Sequence, residues 1–475
     1  MLIDGNSIRK NSRINTDICI VGAGIAGIHL AFTLLTTGIK IVLLEAGDTE
    51  YNESVQKTHN FVTTGLSIEQ DSRIIAFGGT STVWAGFIRP LDDIDFEKRD
   101  WVPNSGWPFS KDKLIPYYNK AAVLLGIPKV NDFTIDKRSI QNFLPYPPFE
   151  PNVLYRMKKT NWDFGKRFKE TLLASKNITT LMNSNVARLE TNENGKIVTA
   201  VKVQTLQGNR FEVCARHFVL ATGGIGNARL LLLSKSKQHL KGIGNINDIV
   251  GRYYMDHPKF KAGVLSFNKN IDTSNLHYID SKHSQHRIGF KPTEILQRKH
   301  HLMNSYIRLD PKIRKFSKLW RNKKYDRRVE LKNYIEQVPI PTNRITLSHE
   351  KDVFGLPRAS IHWSLSPLDK KTIIYIHKLI NETKNATKEY SFESSLLNGT
   401  CVWNVEDSSH HMGTTRMGKN PETSVTNEDA RVHGIKSLYI AGSSLFPTSG
   451  YANPTYTIFA LTQKLSEHLK KKYKK

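Results

Sequence analysis

The chain has 475 residues, with 69 Lys and Arg against 43 Asp and Glu, a formal net charge of +26. Apolar residues make up 39% and charged residues 24%, which is enough for a core of ordinary size and excludes an intrinsically disordered chain. No run of about 18 uncharged apolar residues occurs, so no spanning helix is expected, and the length suggests two large domains or about three smaller ones.

Residues 16–21 (TDICIV) predict a short buried strand leading into Gly22-Ala23-Gly24-Ile25-Ala26-Gly27. A helical pattern then covers 28–35 and closes at Gly38, and IKIVLLE predicts a second strand ending on Glu45. Strand, glycine turn, helix, strand and acidic residue form the full frame that a GxGxxG needs to bind a dinucleotide. Gly22 permits the turn, Gly24 lets backbone approach a pyrophosphate, and Gly27 lets helix pack on strand. The helix N-terminus supplies free N–H groups for phosphate. Glu45 suits ribose hydroxyls, and its charge would repel a 2′-phosphate, which argues against NADP. This segment alone leaves NAD and FAD open.

Next comes Arg73-Ile-Ile-Ala-Phe-Gly78-Gly79-Thr80-Ser81-Thr82-Val83-Trp84, a glycine-rich loop able to approach an anion or a flat ring. HFVLATGG (217–224) predicts another buried strand, followed by a helix over NARLLLLS. GRYYMDHP (251–258) and a strand over 343–348 follow. The last 70 or so residues hold HHMGTTRMG (410–418), SLYIAGSSLFP (437–447) and GYANPT (450–455), which opens a helix to about Leu469. Nucleotide-site segments therefore stand at the start, middle and end of the chain, with a second unit inserted between them.

Taken in order, these motifs resemble the glucose–methanol–choline (GMC) family of FAD oxidoreductases, and the C-terminal pair HxxGTxRMG and GxANPT is most similar to its pyranose 2-oxidase branch. The resemblance implies an α/β fold, with a discontinuous Rossmann-like FAD-binding domain (1–95, 165–258 and 405–475). An α+β substrate-binding domain (96–164 and 259–404) is inserted in it. It also implies roles. Gly22, Gly24, Gly27 and Glu45 would hold the ADP half of FAD, and Val186, in NSNVARLE, would approach adenine through its backbone. Gly78, Gly79, Thr80 and Ser81 would follow the pyrophosphate and flavin. Ala221, Thr222 and Gly223 would line the nucleotide crevice, and Gly442 and Ser443 would meet the ribityl–pyrophosphate region. His410 matches the family's catalytic base and Asn453 its second active-site position, with His411 and Trp84 near substrate or flavin. By register to HxxG, His410 rather than His411 is the base, and His257 in DHP is read as structural. Val83 stands where the pyranose branch carries the His that attaches flavin, so FAD is expected to be non-covalent.

The implied reaction is oxidation of a ring hydroxyl of a sugar or glycoside to a ketone, with hydride passing to flavin N5 and a neutral His taking the hydroxyl proton. The electron acceptor would be O2, a quinone or a redox protein. Oxidation of another alcohol (sterol or choline-like) is an alternative, as is a non-redox lyase or a degenerate binding protein on the same fold.

The N-terminal stretch has no apolar core with a small-residue cleavage site, so no secretory signal is expected. Three cysteines, Cys19, Cys214 and Cys401, are far apart and odd in number, which excludes a disulfide framework and a CxxC site. A cytoplasmic protein is expected. The 17 histidines include no HExxH or Cys/His cluster, so no metal is expected. No nucleic-acid motif accompanies the positive charge. The densest basic run, 308–328, puts Ile313, Phe316 and Trp320 on one helical face, a pattern either of a solvated basic helix or of peripheral contact with an anionic membrane.

Overall fold

A computed structural model describes residues 1–134, 144, 148–272, 279–280, 285–311, 325–387, 390–399 and 403–473. Two eight-stranded sheets dominate it, joined by a smaller three-stranded sheet.

The first sheet is built on four short apolar runs. Ile18–Val21, Ile41–Leu44, Phe218–Leu220 and Leu438–Ile440 are buried almost completely, as strands covered on both faces must be. Strand Arg13–Val21 lies parallel between Ile41–Leu44 and Arg210–Leu220, and Leu438–Ile440 joins the far side of Phe218–Leu220. Ile178–Met182 and Leu2–Asp4 extend one edge, and the antiparallel pair Val198–Gln204 and Asn185–Thr191 extends the other. Helix Ile25–Thr33 packs beneath, against the C-terminal helix Thr455–Tyr473. The seating of Ile25–Thr33 on strand Arg13–Val21 depends on Gly27, where a Cβ would sit 1.9 Å from the Gly22 carbonyl and 3.4 Å from the Ile20 side chain. The carboxyl ends of Arg13–Val21, Arg210–Leu220 and Leu438–Ile440 thus lie side by side, the position where open α/β sheets bind ligands.

The second sheet runs Tyr390–Glu393, Lys259–Asp272, Tyr325–Ile335, Ser305–Pro311, Gln285–Pro292, Phe149–Arg156 and Phe87–Ile88, with Ile279–Asp280 also pairing Gln285–Pro292, antiparallel throughout. Its residues alternate, as one covered face requires. Phe260, Ile307, Leu309, Val329 and Leu331 pack against Ile373, Ile376 and Ile380 of helix Pro367–Thr387. Tyr306, Arg308, Lys332 and Tyr334 alternate with them and so stand on the opposite face. Two segments cross the boundaries expected from sequence. Phe87–Ile88 pairs with the second sheet, and Pro357–Trp363 pairs with Val62–Gly65 in the third.

In 308–328, residues up to Pro311 end one strand and those from Tyr325 begin the next. The expected helix is therefore corrected at both ends, and its Ile313, Phe316 and Trp320 lie outside the described residues. No described helix is long and apolar enough to cross a membrane, and no group of three His, Cys, Asp or Glu among the described residues has metal-binding geometry.

Candidate active site

A cleft of about 660 Å³ starts at the carboxyl ends of the first sheet and reaches the second. Its floor is glycine for a steric reason. Gly24, Gly223 and Gly442 come from three separate strand ends, and a Cβ on any of them would meet nothing within 4 Å. A side chain there would project into the cleft, so all three keep it open for a flat or phosphorylated group. At Gly24 the helix N-terminus has no side-chain cap, leaving N–H groups for an anion.

Glu45 is buried at the end of its strand. Its Oε2 accepts the Ala23 N–H at 2.9 Å and its Oε1 the Gly47 N–H at 3.0 Å, and each oxygen keeps a lone pair for a hydroxyl donor. Burial pushes its carboxyl up to about 7, against the pull of those N–H groups. Gly79, Thr80, Trp84, Val186, Ala221, Thr222 and Ser443 line the same cleft. Asn227 fastens its two middle loops. Its Oδ1 accepts from the Thr222 backbone and hydroxyl at 2.9 and 2.8 Å, and its Nδ2 donates to Ser444 Oγ at 3.0 Å.

Three expected residues are absent from the lining. Gly27 serves helix packing, as its spacing implies. Gly78 and Ser81 are corrections. The Gly78 N–H donates to the Ala23 carbonyl at 2.9 Å, so it is not free for pyrophosphate. Ser81 is wholly buried, its hydroxyl donating to the Gly78 carbonyl at 2.6 Å and accepting the Phe164 N–H at 3.0 Å. Both residues brace the loop that presents Gly79 and Thr80. Val83, 61% exposed, reaches the cleft rim.

At the far end, His410 and Asn453, 43 positions apart, meet with Asn453 Nδ2 3.1 Å from His410 Nε2. The amide donates, so the proton of the neutral ring sits on Nδ1. That nitrogen lies 2.9 Å from His257 Nδ1, which accepts it. The carbonyls of Ser449 and Gly450 favour a proton on His257 in turn. Beneath, the wholly buried Asp256 accepts N–H groups from His257 at 2.6 Å and from Ser408 and His410 at 3.2 Å each. Burial, followed by the neighbouring His257, holds His410 well below the ordinary histidine range. Burial also holds His257 and His411 at about 4 each and pushes the Asp256 carboxyl to about 7. The site thus offers a neutral imidazole whose unprotonated Nε2 lines the cleft and accepts from an amide that an entering hydroxyl can displace.

His411 stacks on Tyr254 at 6.0 Å, and its Nε2 is buried without a partner among the described residues. Arg73, also in the lining, donates to the His59 carbonyl and lies 5.4 Å over Phe61. No described carboxylate pairs with Arg73, and burial and Arg229 hold its guanidinium at about 9. An orphaned imidazole nitrogen and an unneutralised buried cation suit a bound group with acceptors and negative charge. With the glycine floor and Glu45, these residues fit FAD.

Sequence reasoning gave no role to Asp256, Asn227 or Arg73 and read His257 as structural. Their motifs are legible, but a contact between positions 257 and 410 leaves no local signal.

A family model described as GMC oxidoreductase matches residues 339–462. One described as pyridine nucleotide-disulphide oxidoreductase matches residues 16–261. Since the described cysteines, Cys19 and Cys214, are free thiols, the second match reflects the nucleotide-binding frame. The 2-methyl-1,2-propanediol dehydrogenase of Mycolicibacterium austroafricanum is 25% identical, over 96% of this chain and 96% of its own length. The fructose dehydrogenase large subunit of Gluconobacter japonicus is 22% identical, over 96% and 98%. A formate oxidase structure from Aspergillus oryzae RIB40 superposes with a TM-score of 0.64 at 17% identity, covering 98% of this chain and all of that one. The chain belongs to the GMC oxidoreductases, with a dinucleotide-binding region of the pyridine nucleotide-disulphide oxidoreductase type, and is an FAD-dependent alcohol oxidoreductase.

Proposed function

We propose that the protein oxidises a ring hydroxyl of a sugar or glycoside to a ketone, with His410 as the base. The observation that carries this reading is the neutral His410 Nε2 facing Asn453 Nδ2 at 3.1 Å inside the cofactor cleft. A substrate hydroxyl entering between them would accept from the amide and give its proton to the imidazole. His257 holds the tautomer that keeps Nε2 unprotonated, and Asp256 anchors the backbone carrying both histidines. Bound FAD supplies the hydride acceptor. The relatives bearing the names fructose dehydrogenase and propanediol dehydrogenase support a polyhydroxylated substrate, and the GxANPT motif supports the pyranose type.

FAD is held without a covalent link in this reading, because Val83 offers no nucleophile. The acceptor is O2, a quinone or a redox protein. For function we divide the chain as the motifs suggest, with 1–95, 165–258 and 405–475 binding FAD and the rest shaping the substrate end. Docking on an anionic bilayer through 308–328 belongs to the same proposal, and salt-dependent sedimentation with vesicles tests it. The experiment for the reaction is anaerobic mixing of the FAD-loaded protein with sugars, glycosides, sterols and choline. Bleaching of the flavin by a sugar supports the reading, and bleaching only by a sterol or choline refutes it.

A further inference from the structure

The wall facing His410 is the polar side of the second sheet, and its charge pattern is unusual. Strand register aligns Arg308 with Lys332 and Lys332 with Lys261, giving three cations in one row across three neighbouring strands. The next row toward the catalytic pair is Tyr306, Tyr334 and Lys259. Like charges directly opposite on adjacent strands destabilise a sheet, so an unrelieved row of three asks for a compensating charge.

The protein supplies only part of it. Asp310 accepts from Arg308 Nε at 2.7 Å and from Arg287 at 2.9 Å, so one carboxylate serves two guanidinium groups. Glu406 pairs with Lys259 at 3.0 Å, and Glu330 lies 3.9 Å from Lys261. Lys332, half-buried in the middle of the row, has no ion pair among the described residues. Among the described residues, Arg308, Lys332, Lys261 and Lys259 thus face Asp310, Glu330 and Glu406, four cations against three carboxylates. Burial and then the charges of Arg308 and Lys259 lower the Lys332 ammonium, as expected where positive charge is under-compensated.

This wall belongs to the substrate end of the cleft. Lys259, Arg308 and Tyr334 line the same cavity as His410 and Asn453, and Arg308 Nη1 donates to the Tyr334 hydroxyl at 3.1 Å. The charge of Lys259 is felt at His410 itself.

We propose that Lys332, Arg308 and Lys259 form an anion subsite, so that the alcohol oxidised beside His410 carries a carboxylate or phosphate elsewhere in its skeleton. The subsite rests on the reading of His410 and Asn453 as the oxidising pair. Its chemistry is that of charge-assisted hydrogen bonds from a guanidinium and two ammonium groups, which suit either anion.

The test uses the FAD-loaded protein and Lys332→Gln, a residue outside the catalytic pair and the FAD lining. Calorimetric titration with inorganic phosphate should show saturable binding that weakens about tenfold in the variant and weakens with added salt, as a lost charged contact predicts. Anaerobic flavin reduction by glucose, glucose 6-phosphate and glucuronate should show half-saturation at least about tenfold lower for one anionic sugar than for glucose. That advantage should vanish in Lys332→Gln while glucose is unaffected, and the preferred anion separates phosphate from carboxylate. Phosphate binding that is absent or unchanged by Lys332→Gln would overturn the subsite, as would equal half-saturation for all three sugars. If no alcohol reduces the flavin, the reading of the reaction fails, and the phosphate titration still decides the subsite.

Discussion

Replacing His257 by Leu tests how the base is kept ready. In the wild type, His257 Nδ1 accepts the Nδ1 proton of His410 at 2.9 Å, leaving Nε2 unprotonated beside Asn453. Leucine fills similar volume but accepts nothing. The His410 N–H would then be buried without a partner, or the ring would adopt the other tautomer and lose its basic nitrogen. An unsatisfied buried donor costs about 1–3 kcal/mol. If that penalty is felt wherever Nε2 must act, flavin reduction should slow by about 5- to 150-fold. FAD content should stay full, because His257 is not in the cofactor lining. His257 also helps to hold the His410 ring neutral, so its removal should shift the acid limb of the reduction rate upward in pH. His257→Asn, which keeps an acceptor oxygen, should lose less. The assay is anaerobic stopped-flow reduction of the single variants and of His257→Leu with His410→Ala. Because His257 acts through His410, the double variant should be no slower than His410→Ala alone. Additive losses, or a normal rate in His257→Leu, would refute this reasoning.

Acid precipitation should release all the flavin as FAD, whereas flavin left in the pellet would contradict the Val83 argument. Gly24→Ala should fold normally and bind FAD more weakly, since its Cβ meets only the cleft; Gly27→Ala should lower the melting temperature of the apoprotein, since its Cβ would sit 1.9 Å from a carbonyl. The Glu45 carboxyl stands at about 7 without cofactor. Ribose hydroxyls favour its ionised form, so binding should release a proton. FAD affinity, measured by fluorescence titration of the apoprotein, should therefore rise with pH up to about 7 and level off above it. Glu45→Gln should flatten that slope.

The nucleotide half of the fold was legible because its signals are local. A buried apolar run, a glycine turn and a helix lie within the stretch from Arg13 to Leu44, and the strand and helix boundaries fell close to the expected ones. The Gly78 N–H and the Ser81 hydroxyl turn inward because a glycine-rich loop needs internal bracing as well as a ligand face, and spacing does not separate the two. His257 was undervalued for a different reason. Its partner lies 153 positions away, and the antiparallel bridges of Met255 with Met412 and of Lys259 with Glu406 bring the two histidines together. The basic run 308–328 showed a helical period, yet at its ends the register of Arg308 and Lys332 in neighbouring strands determines the structure. The cationic wall followed from strand register alone, which no single segment encodes.

The central claim is that His410 takes the hydroxyl proton beside Asn453. The most direct measurement is the anaerobic rate of flavin reduction by an alcohol that bleaches the wild type, compared in His410→Ala and His411→Ala with FAD content measured in each. General-base catalysis contributes about 10²–10⁴-fold, so His410→Ala should lose that factor with its FAD retained and His411→Ala should lose much less. A near-normal rate in His410→Ala together with a crippled His411→Ala would contradict the account.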